Sequence, residues 1–127
     1  TLSWNYGTEP EAALNGRSVP WPRGRVLGGS SAINGLIYIR GQREDYDTWA
    51  QMGCTGWGFD DCLPFFRKAE RNERGADALH GGDGPLHVSN LRDRNPLSVA
   101  FLEAAQELGL PMNADFNGPQ QEGAGWY

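Results

Sequence analysis

The sequence predicts a loop-rich chain of the α/β class, with mixed helix and strand. Three observations predict it. Leu97, Ala100, Phe101, Ala104, Ala105 and Leu108 fall at i, i+3, i+4, i+7, i+8 and i+11, which is helical periodicity. Leu86 and Val88 alternate with His87 and Ser89, which suits a short strand with one buried face. The 127 residues include 18 glycines and 8 prolines, so loops should dominate and the self-contained core should be small.

From the N-terminus, Thr1 to Arg23 reads as mostly irregular, with turns at Thr8-Glu9-Pro10-Glu11 and Asn15-Gly16-Arg17. Trp4, Tyr6 and Trp21 are expected to be exposed unless further polypeptide covers them, or else to form a minor core of their own. The next stretch organises the chain. Gly28-Gly29 allows a sharp turn and a close backbone approach, because neither residue carries a Cβ. Ser30 and Ser31 follow at a helix N-cap position, where free N–H groups backed by a helix dipole suit a phosphate. Gly24, four residues, then Gly29-Ser30-Ser31 approaches a P-loop, but Ser30 stands where the lysine must be. Gly28-Gly29-Ser30-Ser31-Ala32 approaches a nucleophile elbow, but ends in Ala32. From spacing alone the stretch is either a backbone cradle for an anion or a glycine turn that caps a helix.

Glu44 to Met52 is expected to be a short helix, with acidic residues in its first turn and Gly53 after its end. Tyr46 and Trp49 share one face, and Asp45 and Asp47 are expected to be solvated. Asp61 to Arg71 is the next expected helix, capped by Asp60 or Asp61, with Pro64 near its first turn. Its buried stripe should be Cys62, Phe66 and Ala69, and Lys68, Arg71 and Arg74 should form a solvated basic flank. Asn72 to Gly84 reads as a mobile loop, in which His80 could be taken for a general base but, with no carboxylate at an obvious spacing, reads rather as a surface group. A strand over Pro85 to Ser89 comes next. In the clearest helix, Asn95 caps, Pro96 takes the first position and Gly109 ends it. Its apolar stripe is expected to be core.

A net charge of -5 argues against nucleic-acid binding, which needs a basic patch. No apolar run approaches the roughly 20 residues of a membrane span. Cys54 and Cys62 fit no zinc spacing and read as reduced, structural thiols; no metal site is expected.

The longer pattern narrows the choice. Gly24-Arg25-x-Leu27-Gly28-Gly29-Ser30-Ser31-x-Ile33-Asn34, then Tyr38, Gly41 and Asp47, resembles the first signature of the glucose–methanol–choline (GMC) flavoprotein oxidoreductases. Trp4-x-Tyr6-x-Thr8-Glu9-Pro10 and Leu14-Asn15-Gly16-Arg17 resemble the family's segment just before that signature. Trp57-Gly58, Leu63-Pro64-x-Phe66, His80-Gly81-x-x-Gly84-Pro85-Leu86, Phe116-Asn117-Gly118 and Gln121-Glu122-Gly123 resemble the family's segments C-terminal to it. The likeness is closest to the choline dehydrogenase-like branch and covers nearly all of the chain.

The resemblance implies FAD, with Val26, Leu27, Gly28, Gly29 and Ser30 along its diphosphate and ribityl chain. It implies Asn34, Gly35, Leu36 and Ile37 beside the isoalloxazine; on its own, Asn34 reads as a turn or cap residue. Some family members attach flavin through a histidine in this stretch. No histidine lies between Arg25 and Arg43, and Ile33 stands at that place, so noncovalent flavin is expected. The implied activity is oxidation of a small-molecule alcohol by hydride transfer to the flavin. The family's adenine-binding fingerprint and its catalytic pair, a histidine with a second histidine or an asparagine, match nothing here, so no catalytic residue is assigned. The chain is accordingly expected to be an internal fragment that works with the remaining segments of a parent enzyme. Residues 1–90 would belong to the FAD-binding domain and 91–127 would lead into the substrate domain. A cytoplasmic location is expected, any targeting segment lying upstream. A hydrolase using Ser30 and a noncatalytic interaction module remain the alternatives.

Overall fold

The structure is a computed structural model that describes residues 1–127. The chain divides into two compact units, Thr1–Ile37 and Tyr38–Tyr127.

The first unit is a hairpin with a folded-back loop. Strands β1 (Tyr6–Gly7) and β2 (Pro20–Trp21) pair antiparallel, Tyr6 opposite Trp21. Isolated bridges extend the ladder to Ser3–Gly24 and Glu11–Arg17. A 3-10 turn, Ala12–Leu14, reverses the chain, and Asn15 closes it in the left-handed region. The Thr8 hydroxyl accepts the Val19 N–H at 3.0 Å. Trp4, Tyr6 and Trp21 are each about half exposed, at 50%, 54% and 49%. Trp4 stacks on Tyr6, with the Arg25 guanidinium over the Trp4 ring. The α-helix expected from Ser30-Ser31 does not form. Gly29–Ala32 makes a single 3-10 turn, and residues 33–39 have no regular secondary structure.

The second unit holds three helices and a parallel strand pair: α1 (Arg43–Gln51), α2 (Phe59–Ala69), β3 (Glu70–Asn72), β4 (Leu86–Val88) and α3 (Pro96–Glu107). Asp45 and Asp47 are not simply solvated. Asp45 accepts the Gln42 N–H at 2.8 Å and so caps α1. Asp47 accepts the Phe59 N–H at 2.9 Å and so helps start α2. That bond places the α2 N-cap at Gly58, ahead of the two aspartates expected to cap, and leaves Pro64 in the helix interior. Between the helices, Tyr46 packs on Trp49, Phe59 and Phe66.

Helix α2 stops at Ala69, where Arg71 was expected, because Glu70 turns extended (φ -87°, ψ 139°) and begins β3. Pairing with β4 in parallel, Glu70 opposite Leu86, outweighs two more helical residues. Of the stripe expected to be buried, Cys62 and Phe66 are half-buried and Ala69 is exposed. Arg74 is exposed, as expected of the solvated flank, but it is also tethered: its Nε donates to Asn90 Oδ1 at 2.6 Å and its guanidinium to the Ala114 carbonyl at 2.9 Å. Both cysteines are free.

Helix α3 has the expected ends. Asn95 Oδ1 accepts the Leu97 N–H at 2.9 Å, and Pro96 opens the helix. At the far end Gly109 takes φ 83°, so that Leu110 N–H reaches the Ala105 carbonyl at 3.0 Å in a Schellman turn. Of its expected core stripe only Ala105 is buried. Leu97, Phe101 and Leu108 are 81%, 71% and 83% exposed, while Leu102 and Ala105 are buried against Ala124 and Trp126. The 111–126 segment covers the helix from that other side. Asn95→Ala removes the cap and should lower the unfolding free energy by about 1 kcal/mol, read by denaturant titration. No helix is long and apolar enough to cross a membrane.

Candidate functional site

In the first unit, the residues expected to hold a cofactor form a tight, exposed loop. Gly28 (φ 92°) and Gly29 (φ 60°) both lie in the left-handed region. The loop returns onto Gly24: the Gly24 N–H donates to Ser30 Oγ at 3.1 Å, and a Cβ on Gly24 would stand 2.1 Å from the Gly29 carbonyl oxygen. The Gly24…Gly28-Gly29 spacing is thus a close contact of two backbones. Gly29 N–H donates to the Val26 carbonyl at 2.9 Å and Ser31 Oγ to the Gly28 carbonyl at 2.6 Å. The amides of Leu27, Gly28 and Ser30 donate to no acceptor in the chain. The Leu27 side chain is fully exposed, and Val26 is half-buried.

Beyond the 3-10 turn, Asn34 Oδ1 accepts the Leu36 N–H at 3.0 Å. This is the turn role open to asparagine, and it holds Leu36 at φ 55°. The Asn34 Nδ2 remains free to donate outward. Leu36 and Ile37 are 83% and 60% exposed, and nothing lies within 4 Å of where a Cβ on Gly35 would sit. The nine expected residues thus occur on one continuous exposed segment with unpaired amides and open space beside it. A diphosphate or a planar ring fits such a surface.

The second unit carries a feature the sequence reading missed. His80 is not a surface group in a mobile loop: it is 4% exposed, and its partners are carboxylates distant in sequence. Its Nδ1 lies 3.0 Å from Glu70 Oε1 and its Nε2 lies 2.9 Å from Asp115 Oδ2. Glu70, with no exposed surface, also accepts from Arg40 at 2.6 Å, Asn72 at 3.0 Å and the Gly81 amide at 3.1 Å. Asp115 Oδ1 accepts the Asn117 N–H at 2.9 Å. The Asn117 carboxamide clamps the backbone on either side of Ile39, accepting from Arg40 N–H at 2.8 Å and donating to the Tyr38 carbonyl at 3.0 Å. A ring of hydrogen bonds therefore closes through Arg40, Glu70, His80, Asp115 and Asn117.

The electrostatics of the ring are balanced around Glu70. Burial pushes its carboxyl up, but the bonds from His80, Asn72 and the Gly81 amide, with the Arg40 charge, outweigh burial and hold it below its ordinary value. Arg40 Nε alone lacks a hydrogen-bond partner; its guanidinium lies over the Phe66 and Tyr38 rings. The His80-Gly81-x-x-Gly84 spacing is a packing requirement. A Cβ on Gly81 would meet the Arg67 carbonyl oxygen at 1.8 Å, and one on Gly84 the Ala69 carbonyl group at 2.3 Å. Two cavities border the ring. One of about 620 Å³ is lined by Arg40, Arg43, Phe59, Phe116 and Asn117 among others. The second, about 190 Å³, is lined by Tyr38, His80, Asp115, Phe116 and Asn117 among others.

A family model described as GMC oxidoreductase matches residues 7–127. The chain is 53% identical over 124 residues to the mitochondrial choline dehydrogenase of Mus musculus, covering 98% of this chain and 21% of that protein. It is 51% identical over 125 residues to the oxygen-dependent choline dehydrogenase of Photobacterium profundum, covering 97% and 22%. Among solved structures, pyridoxine 4-oxidase from Mesorbium loti superposes with a TM-score of 0.84 at 38% identity, covering 97% of this chain and 25% of that one. An FAD-dependent oxidoreductase from Chaetomium thermophilum gives 0.81 at 31% identity, covering 96% and 23%. The chain spans about a fifth of the length of the curated relatives it matches. With the family model matching nearly the whole chain and identities above half in these two curated relatives, the chain belongs to the GMC oxidoreductase family.

Proposed function

We propose that this chain holds FAD, noncovalently, for an enzyme that oxidises an alcohol. The observation that carries the reading is the exposed loop with the unpaired Leu27, Gly28 and Ser30 amides. In the reading, Val26 to Ser30 run along the diphosphate and ribityl chain, the amides donating to phosphate oxygens. Asn34 to Ile37 lie beside the isoalloxazine, with Asn34 Nδ2 as donor. When bound, flavin supplies the acceptor for a hydride leaving the alcohol carbon. The chain's own part is to bind and orient; none of its residues is assigned as the base. Choline is the first substrate to test, because it names the curated relatives.

The surface supports a partner made of further polypeptide. The chain exposes 9784 Å². A folded monomer of 14.0 kDa exposes about 6,700 Å², and two separate bodies of half that mass about 8,100 Å² together. Apolar faces at Trp4, Trp21, Leu36 and α3 account for part of the excess. On this reading residues 1–90 belong to the flavin domain, 91–127 lead into the substrate domain, and the location is cytoplasmic.

The hydrolase alternative has no support, since the family model and the curated relatives are oxidoreductases. A visible absorption spectrum tests the reading on protein expressed from the complete reading frame. An oxidised-flavin spectrum is expected, with the flavin released into solution on denaturation. Flavin that stays with the denatured protein overturns the noncovalent mode. A colourless protein that takes up no added FAD overturns the reading itself.

A further inference from the structure

We propose that His80 is a pH-gated latch. As an imidazolium it ties the 113–118 turn to Glu70 through Asp115, and on losing a proton to solvent it lets that turn go. A carboxylate oxygen lies about 3 Å from each ring nitrogen, and only the cation, with two N–H groups, can donate to both at once. The neutral ring can serve one carboxylate. Glu70 is wholly buried and keeps the remaining N–H, because an unpaired lone pair there has no water to turn to. The Asp115 side chain is 32% exposed, so it exchanges the ring for water at small cost. The bond that breaks is therefore His80 Nε2 to Asp115 Oδ2, the one hydrogen bond that Oδ2 makes.

The charged groups around His80 come from every element packed on it. Glu70 faces it from β3 and Asp115 from the 111–126 segment. Asp77, in its own loop, accepts the His80 backbone N–H at 2.7 Å. Arg67 of α2 donates to the His80 carbonyl at 3.4 Å. Arg40 acts through Glu70, and Arg74 and Arg94 line the same small cavity. The local competitor for Nδ1 is Asn72 Nδ2 at 3.2 Å, which could donate to a ring protonated on Nε2 instead.

Release of Asp115 loosens the turn that carries Phe116 and Asn117. These two residues line both cavities, and Asn117 is the clamp on Tyr38 and Arg40. The latch thus couples proton loss at one buried ring to the wall between two cavities. It stands independently of the flavin reading, since its readout needs no cofactor.

The test is amide hydrogen exchange of residues 113–121 from pH 5 to 9, corrected for the intrinsic pH dependence of exchange. It is run on protein from the complete reading frame, beside an NMR titration of the His80 ring. Exchange should rise about tenfold, the effect of losing one charge-assisted hydrogen bond, in step with the ring's own titration. The deprotonated ring should carry its proton on Nδ1. In Asp115→Asn the step should vanish while the Glu70–His80 contact persists, and His80→Gln should show constant high exchange. A flat profile across the titration, an Nε2-protonated neutral ring, or a step that survives in Asp115→Asn overturns the latch. Should His80→Gln fail to fold, Asp115→Asn decides.

Discussion

Replacing Glu70 by alanine lowers the unfolding free energy by about 3–5 kcal/mol, the cost of removing one partner from a buried ion pair. Glu70 has no exposed surface and takes four donors, from Arg40, Asn72, His80 and the Gly81 amide. Without it the Arg40 guanidinium, 4% exposed, keeps only the Leu79 carbonyl as a hydrogen-bond acceptor, at 2.7 Å. Glu70→Gln keeps the shape and the acceptor oxygen but loses the charge, so a smaller loss is expected. The two variants also separate in acid. Glu70 sits below its ordinary value of 4.5 in the folded chain. Its charge therefore stabilises the fold fully above that value, and the stabilisation is lost as pH falls through the lower folded value. Wild-type stability should fall as pH drops below about 4.5, and Glu70→Gln should show a shallower acid slope. Denaturant titration at a series of pH values reads both effects. A Glu70→Ala loss under about 1 kcal/mol, the level of an exposed pair, would show that the ring does not hold the unit together.

This ring shows where reading the sequence reaches its limit. His80 and Asp115 are 35 residues apart, Arg40 and Glu70 are 30 apart, and none of these spacings matches a helix or strand period. The glycines of His80-Gly81-x-x-Gly84 stand out in the sequence, but the backbone they must clear belongs to α2. Features fixed by neighbouring residues were legible. The Asn95 cap, Pro96 and the Gly109 turn of α3 form where expected, because each depends on atoms within one helical turn. The buried face of α3 was not legible. Of the expected stripe only Ala105 is buried; Leu97, Phe101 and Leu108 are exposed and Leu102, outside the stripe, is buried, because the 111–126 segment packs on that side. The end of α2 failed for a similar reason: strand pairing with residues sixteen positions on decided the conformation of Glu70. The Gly28-Gly29 loop was legible as a turn, but not as a loop without an α-helix after it.

Gly24→Ala should abolish flavin binding, and Gly35→Ala separates that effect from damage to the fold. The new Cβ at Gly24 would stand 2.1 Å from the Gly29 oxygen, 2.3 Å from the Gly29 carbonyl carbon and 2.8 Å from the Ser30 nitrogen. These are backbone atoms, so no side chain can swing aside; the loop itself must open. Opening it breaks the Gly24–Ser30 bond and moves the Leu27, Gly28 and Ser30 amides off any shared anion. Overpacking of this kind costs typically 1–3 kcal/mol in stability. Loss of a preorganised amide cradle should empty the site. Gly35 is the contrast. A Cβ there meets nothing within 4 Å in the chain, and its backbone needs no left-handed conformation. Gly35→Ala should leave the unfolding free energy unchanged or slightly raised. If the isoalloxazine lies along Asn34 to Ile37, the same methyl group intrudes on the ring, and FAD affinity should fall while stability holds. The flavin-to-protein ratio and a denaturant titration, measured on both variants, read the two quantities separately. Gly24→Ala with a full complement of flavin would remove the loop from the binding site. Gly35→Ala with unaltered affinity would place the ring elsewhere.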